Sequence, residues 1–352
     1  MLSPQVQGYS VLAHEAIIDT VWDDRIKPLL LQRFPGLTEA QLLEAHGAAY
    51  GGAIIADMGY YPFGDKYFSD LLHYVKAGEF VGNLMRDAST ADELAFAIGV
   101  LGHYVADSLG HPMAVNRAVP MTYPKLARKF GPVMTYEDNP LAHIKVEFGF
   151  DVLQVARGNY APRAYHDFIG FRIEEDLLAK AFRETYGLEL PSILKHKELA
   201  FGTLRYSVKT LIPDATKAAW IMKKNEIQQA QPTMTERRFR YNLSRASFEK
   251  EWGKQYERPG FGARLIVFLA HLLPKIGPFR ALTFRVPPPE AEKMFMSSFN
   301  ATLARYREDI AHSGKAGPHL PDLNLDTGNQ EAPGKYRMED STRAELERKL
   351  RM

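Results

Sequence analysis

One stretch limits the folds open to this chain more than any other. Residues 91–109 read ADELAFAIGVLGHYVADSL, apolar on nearly every side after the first turn. A helix that is apolar all round has no face to offer water and belongs at the centre of a domain. Yet His103 and Asp107 lie inside it, and His111 follows at the same interval of four. Such residues share one helical face, with neighbouring Cβ atoms about 5–6 Å apart. Buried imidazoles and carboxylates need partners, because an unpaired buried polar group is expensive.

The rest of the first two-thirds predicts helix after helix, over 10–26, 38–56, 68–75, 141–155, 168–186 and 193–225. GYYPFG at 59–64 is a turn-rich loop, and prolines at 112, 120, 124, 132 and 140 predict a long irregular connection. Residues 1–225 contain neither an alternating strand pattern nor an internal repeat, so the fold class expected is all-α, with a multi-helical domain over 9–225. Beyond it the composition changes. Residues 226–312 read as a basic helical extension with a helix at 290–310. Residues 313–352, rich in Gly, Pro and charge, read as a flexible charged tail with a short charged helix at 339–351.

Composition removes several classes of function. Lys and Arg number 44 against 42 Asp and Glu, so no global charge draws the chain to nucleic acid. A local excess exists: 237–285 holds eleven basic residues and three acidic ones, suited to a peripheral membrane contact or equally to a nucleic acid backbone. There are no cysteines, which excludes disulfides, thiolate metal sites and cysteine nucleophiles together. No run reaches the ~18–20 apolar residues of a transmembrane segment; the apolar stretch 265–273 is broken by His271. The start, MLSPQVQGYS, lacks the basic and apolar regions of a complete signal peptide. Its VQG fits the end of one, so that cleavage exposes Tyr9. The location expected is secreted or periplasmic, with the cytoplasm left open.

The histidines carry the chemistry. His143 and Glu147 repeat the i, i+4 spacing, while His14, Asp57 and His73 belong to the first, second and third predicted helices. With His103, Asp107 and His111 they make eight nitrogen and oxygen ligands from five helical segments. A lone HxxxD pair is commonly a surface pair. Eight together need one bland explanation each, or a single metal site. Without thiolates, imidazole and carboxylate suit zinc of the kind used in hydrolysis, at which a coordinated water is acidified. His46, His166, His196, His271, His312 and His319 show no comparable partners and read as structural or solvent-exposed.

In order, spacing and context, this ladder resembles the zinc-dependent phospholipase C family and its relatives, the single-strand-specific zinc nucleases. The resemblance spans about 9–225 and implies an all-helical domain holding three zinc ions in a cleft. It implies one zinc on His73, His103 and Asp107, with Asp107 bridging to a second. The second would also take His14 and the free amine and carbonyl of the mature N-terminal residue, Tyr9 if the chain is processed. A third would sit on His111, His143 and Glu147, with Asp57 orienting or deprotonating the attacking water. Two features depart from the family pattern. Three residues separate Asp107 from His111 where the family usually has five. The N-terminus also fits two starts, since Met1 lies as far from His14 as in the phospholipases while YSVLAH looks like a nuclease start. Glu147 follows the phospholipase branch.

The activity implied is hydrolysis of a phosphodiester by metal-activated water, with two or three zinc ions as cofactor and phospholipid as the first-ranked substrate. A nuclease would want a base-stacking platform, for which Tyr60, Tyr61, Phe63 and Tyr104 are the candidates. A zinc-stabilised binding module without catalysis is the third reading.

Overall fold

The computed structural model describes residues 11–61, 63–157, 172–206, 212–236, 283–313 and 319–330, with positions 239, 344 and 348 besides. Through them the chain is helical. Helix α1 (Val11–Val21) continues through a π-helical turn, Trp22–Ile26, into α2 (Lys27–Arg33). Next come α3 (Glu39–Ile55), a 3₁₀ turn (Ala56–Tyr60), α4 (Lys66–Tyr74), α5 (Ala77–Asp87) and α6 (Ala91–Gly110). A second π-helical turn, His111–Val115, leads to α7 (Asn116–Thr122), α8 (Pro124–Phe130) and α9 (Pro140–Arg157). Then follow α10 (Glu175–Tyr186), α11 (Leu190–Ile193), α12 (Lys197–Tyr206), α13 (Ile212–Ala230) and α14 (Pro289–His312). Among the described residues no strand forms beyond an isolated bridge between Leu323 and Gln330. The all-α expectation holds.

Local chemistry sets the helix starts. Thr38 and Thr90 accept from the backbone N–H of Gln41 and Glu93, whose side chains reach back to the cap, so both α3 and α6 open with a capping box. The prolines differ from the expectation of a long irregular connection. Pro124 and Pro140 are the first residues of α8 and α9, where a missing N–H is no loss, and Pro112 is the second residue of the second π turn. Pro124 and Pro140 thus begin helices where an irregular connection was expected, and Pro120 lies inside α7.

Helix α6 is central, as its composition requires, and crosses α3 almost backbone to backbone. A Cβ on Gly52 would stand 2.0 Å from the Phe96 carbonyl oxygen, and one on Gly99 2.0 Å from that of Ala49. Only glycine permits this approach. On another side α14 lies against α6, with the buried Tyr306 hydroxyl donating to the Ile98 carbonyl at 2.8 Å. Arg157 and Gln154 of α9 grip Glu292 of α14. Among the described residues, Phe295, Tyr306 and Leu325 therefore belong to the same hydrophobic core as α1, α3 and α6.

The tail departs most from expectation. Residues 319–330, read as part of a flexible segment, lie docked on the bundle with Leu320 and Leu325 buried. Tyr104 donates to the Pro321 carbonyl at 2.7 Å, and the Leu325 N–H to the His73 carbonyl at 2.9 Å. An Asx turn, in which Asn324 Oδ1 accepts from the N–H groups of Asp326 and Thr327, and Gly328 at φ 69° shape the segment. Most of the basic 237–285 stretch and most of the helix expected at 339–351 fall outside the described residues.

Candidate metal centre

The eight side chains singled out in the sequence come together. His14 comes from α1, Asp57 from the 3₁₀ turn after α3, and His73 from the last turn of α4. His103 and Asp107 lie on α6, His111 opens the π turn that prolongs it, and His143 and Glu147 lie on α9. The short spacing from Asp107 to His111 is thereby explained: one continuous helical run carries all three. All eight are buried, none more than 5% exposed. Tyr9 lies outside the described residues.

Asp107 is the hub. Its Oδ1 lies 3.4 Å from His14 Nε2, and its Oδ2 lies 3.2 Å from His103 Nε2, 3.4 Å from His73 Nε2 and 3.5 Å from His111 Nε2. Asp57 Oδ1 is 3.5 Å from His73 Nε2, and His143 Nδ1 is 2.8 Å from Glu147 Oε1. Three groups have ligand atoms close enough to share a cation: His14 with His103 and Asp107, Asp57 with His73 and His103, and His111 with His143 and Glu147. Asp57, expected to act on the attacking water, thus stands at ligand distance with His73 and His103.

Backbone contacts aim the rings. Nδ1–H of His73 donates to the Ser69 carbonyl at 2.7 Å, and that of His103 to the Ala53 carbonyl at 2.9 Å, which turns both Nε2 lone pairs inward. Those two Nε2 atoms face each other at 3.2 Å, where at most one can carry a proton for the other. Ser69 also ties the Asp57 turn to α4, accepting from the Gly59 N–H at 2.8 Å and donating to the Ala56 carbonyl.

The atoms left over define what the centre can hold. Both oxygens of Asp57, both of Asp107, His111 Nε2, His143 Nδ1 and Glu147 Oε1 are buried without a hydrogen bond of good geometry. Left so, each would carry the penalty of an unsatisfied buried polar group. All belong to the three groups, whose residues would be satisfied together by divalent cations held there. Charge points the same way. Burial, then the charge of His103, holds His14 below its usual pKa, in the neutral form that binds metal. Burial opposes charge on His73 too, but Asp107 and Asp57 override it and push the ring up to about 10. For His103 and His111 burial is likewise outweighed, chiefly by Asp107, and both are raised. Asp107 itself is buried yet held well below the carboxylate range by His103 and His111. Glu147 is raised by its burial. The field inside the bundle favours positive charge.

The family model for zinc-dependent phospholipase C matches residues 13–193, a span that contains all eight side chains. The chain belongs to the zinc-dependent phospholipase C family. No curated protein and no solved structure is significantly similar to it. Zinc suits what the family centre offers here, since every donor is an imidazole nitrogen or carboxylate oxygen.

Two residues around the centre have no counterpart in the sequence pattern. Asn116 accepts from His143 Nε2–H at 2.8 Å, and Asp326 accepts from His111 Nδ1–H at 3.1 Å. Neither stands at a helical interval from its histidine that a pattern search would find. His46, assigned no partner, is buried beside Trp22, with rings 3.8 Å apart, and its Nε2 lies 2.9 Å from Asp19. It serves the packing of α3 on α1, away from the eight.

Proposed function

We propose that this chain is a zinc-dependent phosphodiester hydrolase acting on phospholipid, with His14, His73, His103, Asp107, His111, His143 and Glu147 as ligands of two or three zinc ions and Asp57 as base. One observation carries the reading: buried ligand atoms without hydrogen bonds gather in three adjacent groups joined through Asp107. Zinc, when bound, supplies Lewis acidity toward a phosphoryl oxygen and acidifies water. The chain supplies the rest. Asp107 holds its negative charge between the groups because four imidazoles face it. Asp57, whose two buried oxygens make no hydrogen bond, would orient a water and accept its proton. The surrounding tyrosines 60 and 74 stay protonated, since burial pushes both phenols well up.

The aromatic side chains favour lipid over nucleic acid. Of the four candidates for a stacking platform, Tyr60, Tyr61 and Tyr104 are buried and offer no free face, which leaves Phe63 exposed alone. A phospholipid substrate is met at a bilayer surface, and contact through the basic 237–285 segment belongs to the same proposal. The N-terminal amine of Tyr9 in a processed chain would complete the second site.

The test supplies zinc-reconstituted protein with mixed phospholipid vesicles and, separately, with single-stranded DNA and RNA. Diacylglycerol and a phosphorylated head group should appear, disappear with a chelator and return with zinc. Cleavage of the nucleic acids with lipids untouched would overturn the choice of substrate. Less than one zinc per chain after reconstitution would overturn the centre itself.

A further inference from the structure

The matched family span ends at residue 193, but the hydrogen bonds of the centre do not. Asp326, 215 residues beyond His111, is buried against it. Its Oδ1 accepts from His111 Nδ1–H at 3.1 Å, and its Oδ2 from the Tyr136 N–H at 2.9 Å. Its carbonyl accepts from Asn116 Nδ2 at 2.7 Å, and Asn116 Oδ1 accepts in turn from His143 Nε2–H at 2.8 Å. The two histidines of the third group are thus gripped from behind by two residues bonded to each other. The nitrogens left facing Glu147 are His111 Nε2 and His143 Nδ1, the two ring atoms of this pair that make no hydrogen bond.

We propose that Asp326 is a positioning residue of the metal centre: the docked segment 319–330 presents its carboxylate to His111 and, through Asn116, fixes His143, so that the third group is complete only when this segment is in place. A carboxylate behind a ligating imidazole sets the tautomer and raises the basicity of the opposite nitrogen, and loss of such a partner typically weakens metal binding about 10–100-fold. Asp326 is suited to the role by its placement: each carboxylate oxygen and its carbonyl has a separate partner, in His111, Tyr136 and Asn116. The segment also reaches the other side of the centre. Leu325 bonds the His73 carbonyl at 2.9 Å, and Asp322 accepts from the Glu79 N–H at 2.9 Å.

The inference rests on the zinc reading, and one experiment separates the two. Full-length wild type, Asp326→Ala and Asp326→Asn are loaded with zinc and titrated with a chelator while bound zinc is counted. Thermal unfolding is recorded for each with and without zinc. The expected result is one ion released from Asp326→Ala at about 10–100-fold weaker chelation, the others held as in wild type, and a smaller zinc-induced rise in Tm. Asp326→Asn, which keeps an acceptor for His111 but not the charge, should fall between. Wild type holding zinc and both variants holding it equally tightly would overturn the role of Asp326 alone. An equal fall in Tm with and without zinc, or failure of both variants to fold, would assign Asp326 to the fold and overturn it too. Wild type that takes up no zinc would overturn both readings.

Discussion

The crossing of α3 and α6 gives the sharpest handle on the centre from outside it. In Gly52→Ala the new methyl would stand 2.0 Å from the Phe96 carbonyl oxygen and 2.9 Å from the Val100 nitrogen, both backbone atoms that cannot rotate away. Ordinary contact begins near 3.4 Å, so the helices must part by roughly 1.4 Å at this point. Overpacking of this kind costs about 1–3 kcal/mol. The neighbouring residue, Ala53, accepts from His103 Nδ1–H at 2.9 Å. Parting the helices by that amount lengthens the bond beyond hydrogen-bond range and frees the His103 ring to turn. Zinc affinity should therefore fall along with stability. Calorimetric unfolding and chelator titration of Gly52→Ala measure the two effects. Gly202→Ala is the control: its added methyl meets nothing within 4 Å on α12, and the change should leave zinc binding alone and stabilise by about 0.4–1 kcal/mol. Unchanged Tm and zinc binding in Gly52→Ala would refute the close crossing and its link to His103.

Three further outcomes follow from the hub and its neighbours. Asp107→Ala should lose more zinc than His111→Ala, because Asp107 faces four imidazoles and His111 serves chiefly one group; equal loss by elemental analysis would contradict the bridging role. Asp57→Asn should keep most of its zinc while turnover falls about 10²–10⁴-fold, the usual contribution of a general base; a variant that loses zinc in proportion would make Asp57 a ligand only. Zinc binding at pH 8 should release protons, since His73, with a pKa pushed up to about 10, carries one that the metal must displace. Acidification must therefore weaken binding. Calorimetric heats that do not change with the ionisation enthalpy of the buffer would contradict this.

The legible part of the molecule is what local periodicity encodes. The i, i+4 ladder, the capping threonines and the all-apolar α6 can be read because their physics lies within one or two helical turns. Prolines misled because the same ring that breaks a helix interior is tolerated at its first residue, and sequence alone does not say which position it holds. The glycines of α3 weaken a helix by propensity, and their use at the α6 crossing exists only once the partner is in place. Asp326 and Asn116 were invisible for the same reason. A single carboxylate or amide has no period, and its meaning arises from a hydrogen bond across the fold.

The place of Asp326 in the chain also gives the centre a history. The eight inner side chains are all synthesised by residue 147, and Asp326 follows 179 residues later, about 10–40 s at usual rates of translation. During that interval the inner groups can assemble before segment 319–330 lies across the bundle to bond His73 and His111. Opening of the docked segment would withdraw Asp326 from His111 and the Leu325 N–H from His73 together. Chain order thus makes the backing of His111 the last part of the centre to be supplied.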